Sequence, residues 1–96
     1  MTENKPKQFI LPNRDGAYMT LDLIEGDMYR INVDKEHEYC LHYSRVIYKE
    51  GMSGIEAFDP SGGPFLSIGY TLEDGYQIKE ITFPSVGETV FRIQKI

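Results

Sequence analysis

The sequence has no tryptophan, only one cysteine and no long apolar run, and each of these absences narrows the possibilities. Cys40 cannot form a disulfide within the chain, so nothing points to an oxidising compartment. The N-terminal region has no apolar segment of the kind found in secretion signals, and no run approaches the ~20 residues of a membrane helix. We therefore expect no membrane association and a cytoplasmic location.

Positive charge is also scarce, because 15 acidic residues stand against 10 basic ones and give a net charge of −5. Binding to a nucleic-acid backbone depends on counterion release by clustered lysine and arginine. We therefore expect no direct contact with a nucleic-acid backbone. An acidic surface improves solubility, and it also suits docking onto a basic protein.

The distribution of apolar residues indicates β-structure. A chain of 96 residues is long enough for one domain, which we divide into a polar N-terminal arm, 1–8, and a single β domain, 9–96. Apolar and polar side chains alternate in 17–24, and the same alternation returns in 28–33 after a glycine-containing turn. This pattern predicts a β-hairpin over 17–33.

Further short apolar segments are separated by turn residues. The remaining predicted strands cover 9–11, 55–58, 65–70, 76–83 and 89–96. Asp74-Gly75 is a preferred pair for a type I′ turn, and the apolar phase slips between Ile78 and Ile81. These features predict an all-β fold, either a compact antiparallel β-sandwich or a small, partly open β-barrel of six to eight short strands.

The segment 35–50 permits two interpretations. Asp34 is a suitable N-cap for a helix that Gly51 would end, which would give an α+β fold with one helix spanning about 35–50. As a strand, the segment would alternate with one slip at Arg45. Because it contains no alanine and is rich in tyrosine, valine and isoleucine, we favour the strand.

The glycine- and proline-rich stretch 59–69, DPSGGPFLSIG, is the strongest candidate for a site. Proline and glycine specify an unusual backbone there, which could present several amides to an anion such as phosphate. The stretch lacks the Gly-Lys-Ser/Thr ending of a phosphate-binding P-loop, and a rigid connection between two strands is the simpler alternative. Our candidate ligand- or partner-binding residues are Asp59, Ser61, Gly62, Gly63, Arg45, Tyr43 and Tyr70.

Catalytic and metal sites find little support in the sequence. On one strand, Cys40, His42 and Ser44 would share a face, but neighbours two residues apart are separated by roughly 6.5–7 Å, which is too far for direct proton transfer. The acidic group around Glu36 could hold a hard cation if extended, yet it lacks the EF-hand pattern. We therefore predict no catalytic residue, no metal ligand, no cofactor and no enzymatic activity.

Seven tyrosines are more than a core of this size can hold completely, and tyrosine is enriched at protein interfaces. We therefore expect a non-enzymatic, acidic interaction module that acts through protein–protein contact. That contact includes homo-oligomerisation through edge strands and the inhibition of a basic partner. The alternative is a small-molecule binder that sequesters a phosphorylated or nucleotide-like ligand on the amides of Ser61, Gly62 and Gly63.

Overall fold

The computed structural model of the protein describes residues 5–13, 16–50 and 55–96. These residues form two antiparallel sheets and very little helix. The eight strands are β1 (Gln8–Leu11), β2 (Met19–Glu25), β3 (Met28–Val33), β4 (Arg45–Ile47), β5 (Ala57–Asp59), β6 (Leu66–Ser67), β7 (Tyr76–Thr82) and β8 (Val90–Lys95). A 3₁₀ turn at Lys35–His37 precedes a four-residue helix, α1 (Tyr39–His42). A second 3₁₀ turn, at Glu73–Gly75, precedes β7.

The larger sheet has five strands in the order β1-β2-β3-β8-β7 and carries most of the core. Alternation along each strand sends one set of side chains inward, so the predicted hairpin over 17–33 is confirmed as the antiparallel pair β2–β3. The fully buried side chains of this sheet are Phe9, Leu11, Met19, Leu21, Tyr29, Ile78, Ile81, Phe91 and Ile93.

The small sheet has three strands in the order β4-β5-β6. Its register aligns Val46, Phe58 and Leu66 on one face. That face points toward the larger sheet, since the Phe58 ring lies 6.2 Å from the ring of Phe91. The predicted all-β fold is confirmed: a curled five-stranded sheet is covered on part of its concave side by a second, smaller sheet.

Two local predictions are also confirmed. Asp74 and Gly75 both have positive φ, 60° and 77°, which is the backbone that a type I′ turn requires. The register of β7 against β8 shifts between Ile78 and Glu80, where the apolar phase slips in the sequence. The extra residue, Lys79, makes a β-bulge there.

The segment 35–50 is neither the strand that we favoured nor one long helix. A 3₁₀ turn and α1 occupy its first half, and β4 follows only from Arg45. The helix α1 ends at His42. Ser44 Oγ donates to the Leu41 carbonyl at 2.6 Å, a local side-chain bond that competes with continuation of the helix. The strand prediction was wrong for 35–44, where the chain turns and the contacts of Cys40 with the glycine-proline loop and Tyr18 override local propensity.

The predicted strand over 65–70 is also shorter than expected, since β6 contains only Leu66 and Ser67. The Tyr70 amide donates to the Ser67 carbonyl, and Gly69 has a φ of 96°, so the chain turns at this point. Ile68 is therefore exposed instead of following Leu66 into the core.

Part of the N-terminal arm is attached to the sheet. The Tyr29 hydroxyl donates to the Pro6 carbonyl at 2.6 Å, and the Leu23 amide donates to the Lys7 carbonyl at 2.9 Å. In the part of the chain that the structure describes, no helix has the length and apolar character needed to cross a membrane.

Candidate functional site

The glycine-proline loop between β5 and β6 is anchored to the rest of the molecule by its own backbone. The Ser61 amide donates to the Cys40 carbonyl and the Gly63 amide to the Pro60 carbonyl, each at 3.1 Å. The Gly62 carbonyl accepts a bond from the Asn13 side chain at 3.1 Å. Two of the three amides that we assigned to an anion are therefore already bonded within the chain, which supports a structural role for the loop.

Gly62 is required where it stands. Its φ is +79°, and a Cβ at this position would lie 3.0 Å from the Tyr18 hydroxyl oxygen. The same hydroxyl is 3.2 Å from the Cys40 sulfur, and both side chains are buried. The loop therefore covers the contact between Tyr18, which precedes β2, and Cys40 on α1. A larger residue at position 62 does not fit there without a shift.

The predicted strand face of Cys40, His42 and Ser44 does not exist, because the first two lie on the helix α1 and Ser44 follows it. Cys40 is buried, whereas His42 is exposed. A different histidine lies near this cluster: the His37 ring stacks on Tyr18 with 3.8 Å between ring centroids. Sequence reasoning missed this contact, which joins residues far apart in the chain.

The predicted site residues are only partly brought together. Arg45 Nε lies 3.0 Å from the Asp59 carboxylate, so an arginine does reach the start of the loop. Tyr43 follows α1 directly, two residues before β4, and is 75% exposed. Tyr70, in contrast, lies in the segment before β7 and packs against the core.

The other arginines give no clamp at the loop. Arg92 pairs with Asp27 and Glu80 on the larger sheet. Arg30 is exposed on β3, and Arg14 lies outside the described residues. Arg45 is therefore the only arginine of the described residues that pairs with a residue of this loop, and no second arginine joins it to form a phosphate clamp.

The outer face of the small sheet is rich in exposed apolar and aromatic side chains. Register places Arg45 opposite Asp59 and Ile47 opposite Ala57, on the face of the sheet opposite to Phe58, where Arg45 and Ile47 are exposed and Ala57 is buried. Six of the ten large apolar side chains that are exposed in the described residues fall between Tyr39 and Ile68. We define the small-sheet surface as Tyr43, Arg45, Ile47, Tyr48 and Phe65.

The sequence pointed to two of these five residues. Tyr43 and Arg45 were candidates, whereas Ile47 and Phe65 were not singled out. Strands of two or three residues have no periodicity from which an outward face can be read. The only sequence signal was the excess of tyrosine, and in the structure Tyr43 and Tyr48 are exposed.

The clearest electrostatic feature lies away from the small-sheet surface. Asp27 accepts bonds from Gln94 at 2.7 Å and from Arg92 at 3.1 Å. The Gln94 bond lowers the pKa of Asp27, burial opposes this effect, and the Arg92 charge adds to it. Burial raises the pKa of Tyr29, and its neighbours Tyr76 and Asp27 raise that pKa further.

Within the described ranges, no group of three or more histidine, cysteine, aspartate or glutamate side chains is placed to hold a metal ion. Glu36 lies in a 3₁₀ turn, so the extended arrangement that we considered for a cation is not formed. No protein-family model, curated protein or solved structure matches the chain. A functional assignment therefore depends on surface geometry and chemistry.

Proposed function

We propose that the protein is a non-enzymatic, acidic interaction module that binds other proteins, including a second copy of itself, through the small-sheet surface. The observation that carries this proposal is that Tyr43, Ile47, Tyr48 and Phe65 are exposed in or beside strands β4 and β6, with the exposed Arg45 on β4. Aromatic residues and arginine are enriched in interfaces and supply most binding hot spots. Single exposed apolar residues are normal on a protein surface, whereas several of them in or beside one small sheet are typical of an interaction site.

The free edge of β4 supports self-association. β4 pairs only with β5, so its second edge has no strand partner among the described residues. An unpaired edge is a template for pairing with another chain. Two copies can present the same edge to each other around a twofold axis, and the added burial would supplement the limited core of a small domain.

The net charge of the chain predicts opposite effects of salt on binding to a second copy and on binding to a basic protein. Two copies of a chain with a charge of −5 repel each other, so salt should strengthen self-association by screening that repulsion. A basic partner is attracted by the same charge, and salt should weaken its binding. The dependence of association on ionic strength therefore distinguishes a second copy from a basic protein.

The alternative, a phosphorylated or nucleotide-like ligand on the glycine-proline loop, stays a prediction with less support. The amides of Ser61 and Gly63 already donate within the chain. A thermal-shift screen with phosphorylated metabolites tests it, because a ligand at 100 times its Kd stabilises a protein by about 2.7 kcal/mol.

Sedimentation and light scattering up to millimolar concentration test the main proposal. We compare the wild type with Ile47→Lys and with the matched control Ile24→Lys, since these isoleucines are 37% and 46% exposed. The wild type and the control should associate, whereas Ile47→Lys should remain monomeric because a desolvated lysine opposes the contact. A wild type that stays monomeric at every salt concentration and binds no basic protein would contradict the proposal.

A further inference from the structure

A cleft opens in the larger sheet where β3 and β8 separate. Their pairing ends at Arg30 and Val90, although β3 continues beside β2 to Val33. The cleft has a volume of about 370 Å³ and is lined by Ile31, Val33, Glu38, Leu41, His42 and Gly87. This volume lies within the range of roughly 300–1,000 Å³ that is usual for ligand sites.

The backbone of β3 points into this cleft. In an antiparallel pair, successive residues direct their amide and carbonyl groups alternately to the two sides of the strand. The Asp34 amide donates to the Tyr18 carbonyl on the β2 side, so Ile31 and Val33 direct theirs to the opposite side. Among the described residues we find no hydrogen-bond partner for the Ile31 carbonyl or for either backbone group of Val33.

The Ile31 carbonyl and the two backbone groups of Val33 form a short unpaired strand edge, and this edge lies in a cleft. Buried or half-buried backbone groups usually have a partner, so an open donor and two acceptors in strand geometry indicate a place for another strand. The neighbouring side chains of Ile31, Val33 and Leu41 are partly buried and packed against the core. They give the cleft an apolar wall.

Charge around the cleft favours a basic occupant. Glu38 lines the cleft, and Glu88 and Arg30 line its continuation beside the loop before β8. Arg30, opposite Asp22 on β2, forms no ion pair with the described residues, so the cleft and its continuation carry two carboxylates and one guanidinium. Neither Glu38 nor Glu88 forms an ion pair with any described residue. Two unpaired carboxylates therefore flank the open backbone edge, in a chain whose net charge is −5.

We propose that this cleft binds an extended segment of a partner protein by strand addition to β3. Backbone hydrogen bonds to Ile31 and Val33 provide affinity, as in other strand-addition complexes. An apolar side chain of the segment packs on Leu41, and a lysine or arginine approaches Glu38 or Glu88. The site is separate from the small-sheet surface, so either proposal can fail while the other holds.

The experiment uses the full chain labelled for amide NMR spectroscopy. The probe is a peptide of about eight residues, close to a usual strand length, with alternating valine and threonine and a lysine near each end. A matched peptide carries glutamate in place of lysine. The lysine peptide should shift the amides of Ile31, Val33 and Gly87 and slow hydrogen exchange at Val33, and the glutamate peptide should bind roughly tenfold or more weakly.

Two comparisons isolate the physical contributions. Peptides methylated on alternate amide nitrogens distinguish strand addition from side-chain binding, because methylation on the edge that faces β3 should abolish binding and methylation on the other edge should not. Glu38→Lys should lower the affinity for the lysine peptide roughly fivefold or more at low salt. Glu36→Lys makes the same charge change on an exposed residue outside the cleft lining and should have little effect.

Several results would overturn the inference. One is the absence of shifts with saturating lysine peptide, and another is equal weakening by Glu38→Lys and Glu36→Lys. A third is equal tolerance of methylation on both peptide edges. Shifts of the cleft amides that depend on protein concentration without peptide would instead identify a second copy as the occupant.

Discussion

The larger sheet and the small sheet place similar residues in opposite environments. In the larger sheet, the aromatic side chains of Phe9, Tyr29 and Phe91 are fully buried. Around the small sheet, Tyr43, Tyr48 and Phe65 are exposed. Burying an aromatic side chain contributes roughly 1.5–3 kcal/mol or more to folding, so these exposed residues contribute less to stability than their composition suggests.

The polar contacts of the two sheets also differ in their exposure to solvent, as the aromatic side chains do. Asp27 joins the β2–β3 turn to β8 through two side-chain bonds, and its own carbonyl accepts the Ile93 amide at 2.8 Å. The ion pair of the small sheet, Arg45 with Asp59, joins neighbouring strands and leaves the arginine 73% exposed. The small sheet therefore has, beside its buried Phe58 and Leu66, an outer set of residues that contributes little to stability.

The largest expected effect tests this division directly. Phe9→Ala should lower the free energy of unfolding by about 3–5 kcal/mol, because the ring packs against Tyr29 and Tyr76 and leaves a cavity. Ile47→Ala on the small-sheet surface should change it by no more than about 0.5 kcal/mol. Urea unfolding measures both variants. Equal losses would show that the outer face of the small sheet supports the fold as strongly as the buried core does.

The glycine-proline loop joins the two regions, and two glycines allow its role to be measured. Gly62 and Gly87 have the same φ of +79°, but only at Gly62 would a Cβ approach another group, the Tyr18 hydroxyl. Gly87→Ala should cost about 1 kcal/mol for its backbone conformation. Gly62→Ala should cost about 2 kcal/mol or more, since the contact adds to the same conformational cost.

Thermal and urea unfolding of these two variants separate the terms. The difference between them reports chiefly the close approach, because φ is the same at both glycines. If Gly62→Ala is no more destabilising than Gly87→Ala, the loop adjusts freely and does not fasten the small sheet to β2.

The same division explains which features the sequence predicts. The hairpin over 17–33 is predictable because a half-buried strand of six or seven residues shows its period in the side chains. The Asp74-Gly75 turn and the bulge at Lys79 are predictable for similarly local reasons. Long strands with one buried face therefore specify their own register.

The candidate surfaces are less predictable because distant contacts form them. The Ser61 amide turns inward to a carbonyl at Cys40, which no local pattern reveals. The outward direction of Ile47 depends on the register of a three-residue strand. The cleft beside Val33 arises where a ladder stops, and a sequence pattern for β3 gives no sign of that end.

The smallest expected effect concerns acid stability, and it compares the two carboxylates described above. The folded pKa of Asp27 is lowered from 3.8, so its contribution is fully present above that value and is lost as the pH falls through the folded pKa. Asp27→Asn should therefore flatten the loss of stability below about pH 4, by about 1 kcal/mol, since the bonds from Gln94 and Arg92 favour the charged form. At neutral pH, Asp59→Asn should lower the free energy of unfolding by less than about 0.5 kcal/mol, because its partner Arg45 is exposed to solvent. Urea unfolding at a series of pH values measures Asp27→Asn, and urea unfolding at neutral pH measures Asp59→Asn. An acid profile of Asp27→Asn that matches that of the wild type would mean that the bonds to Asp27 do not favour its charged form.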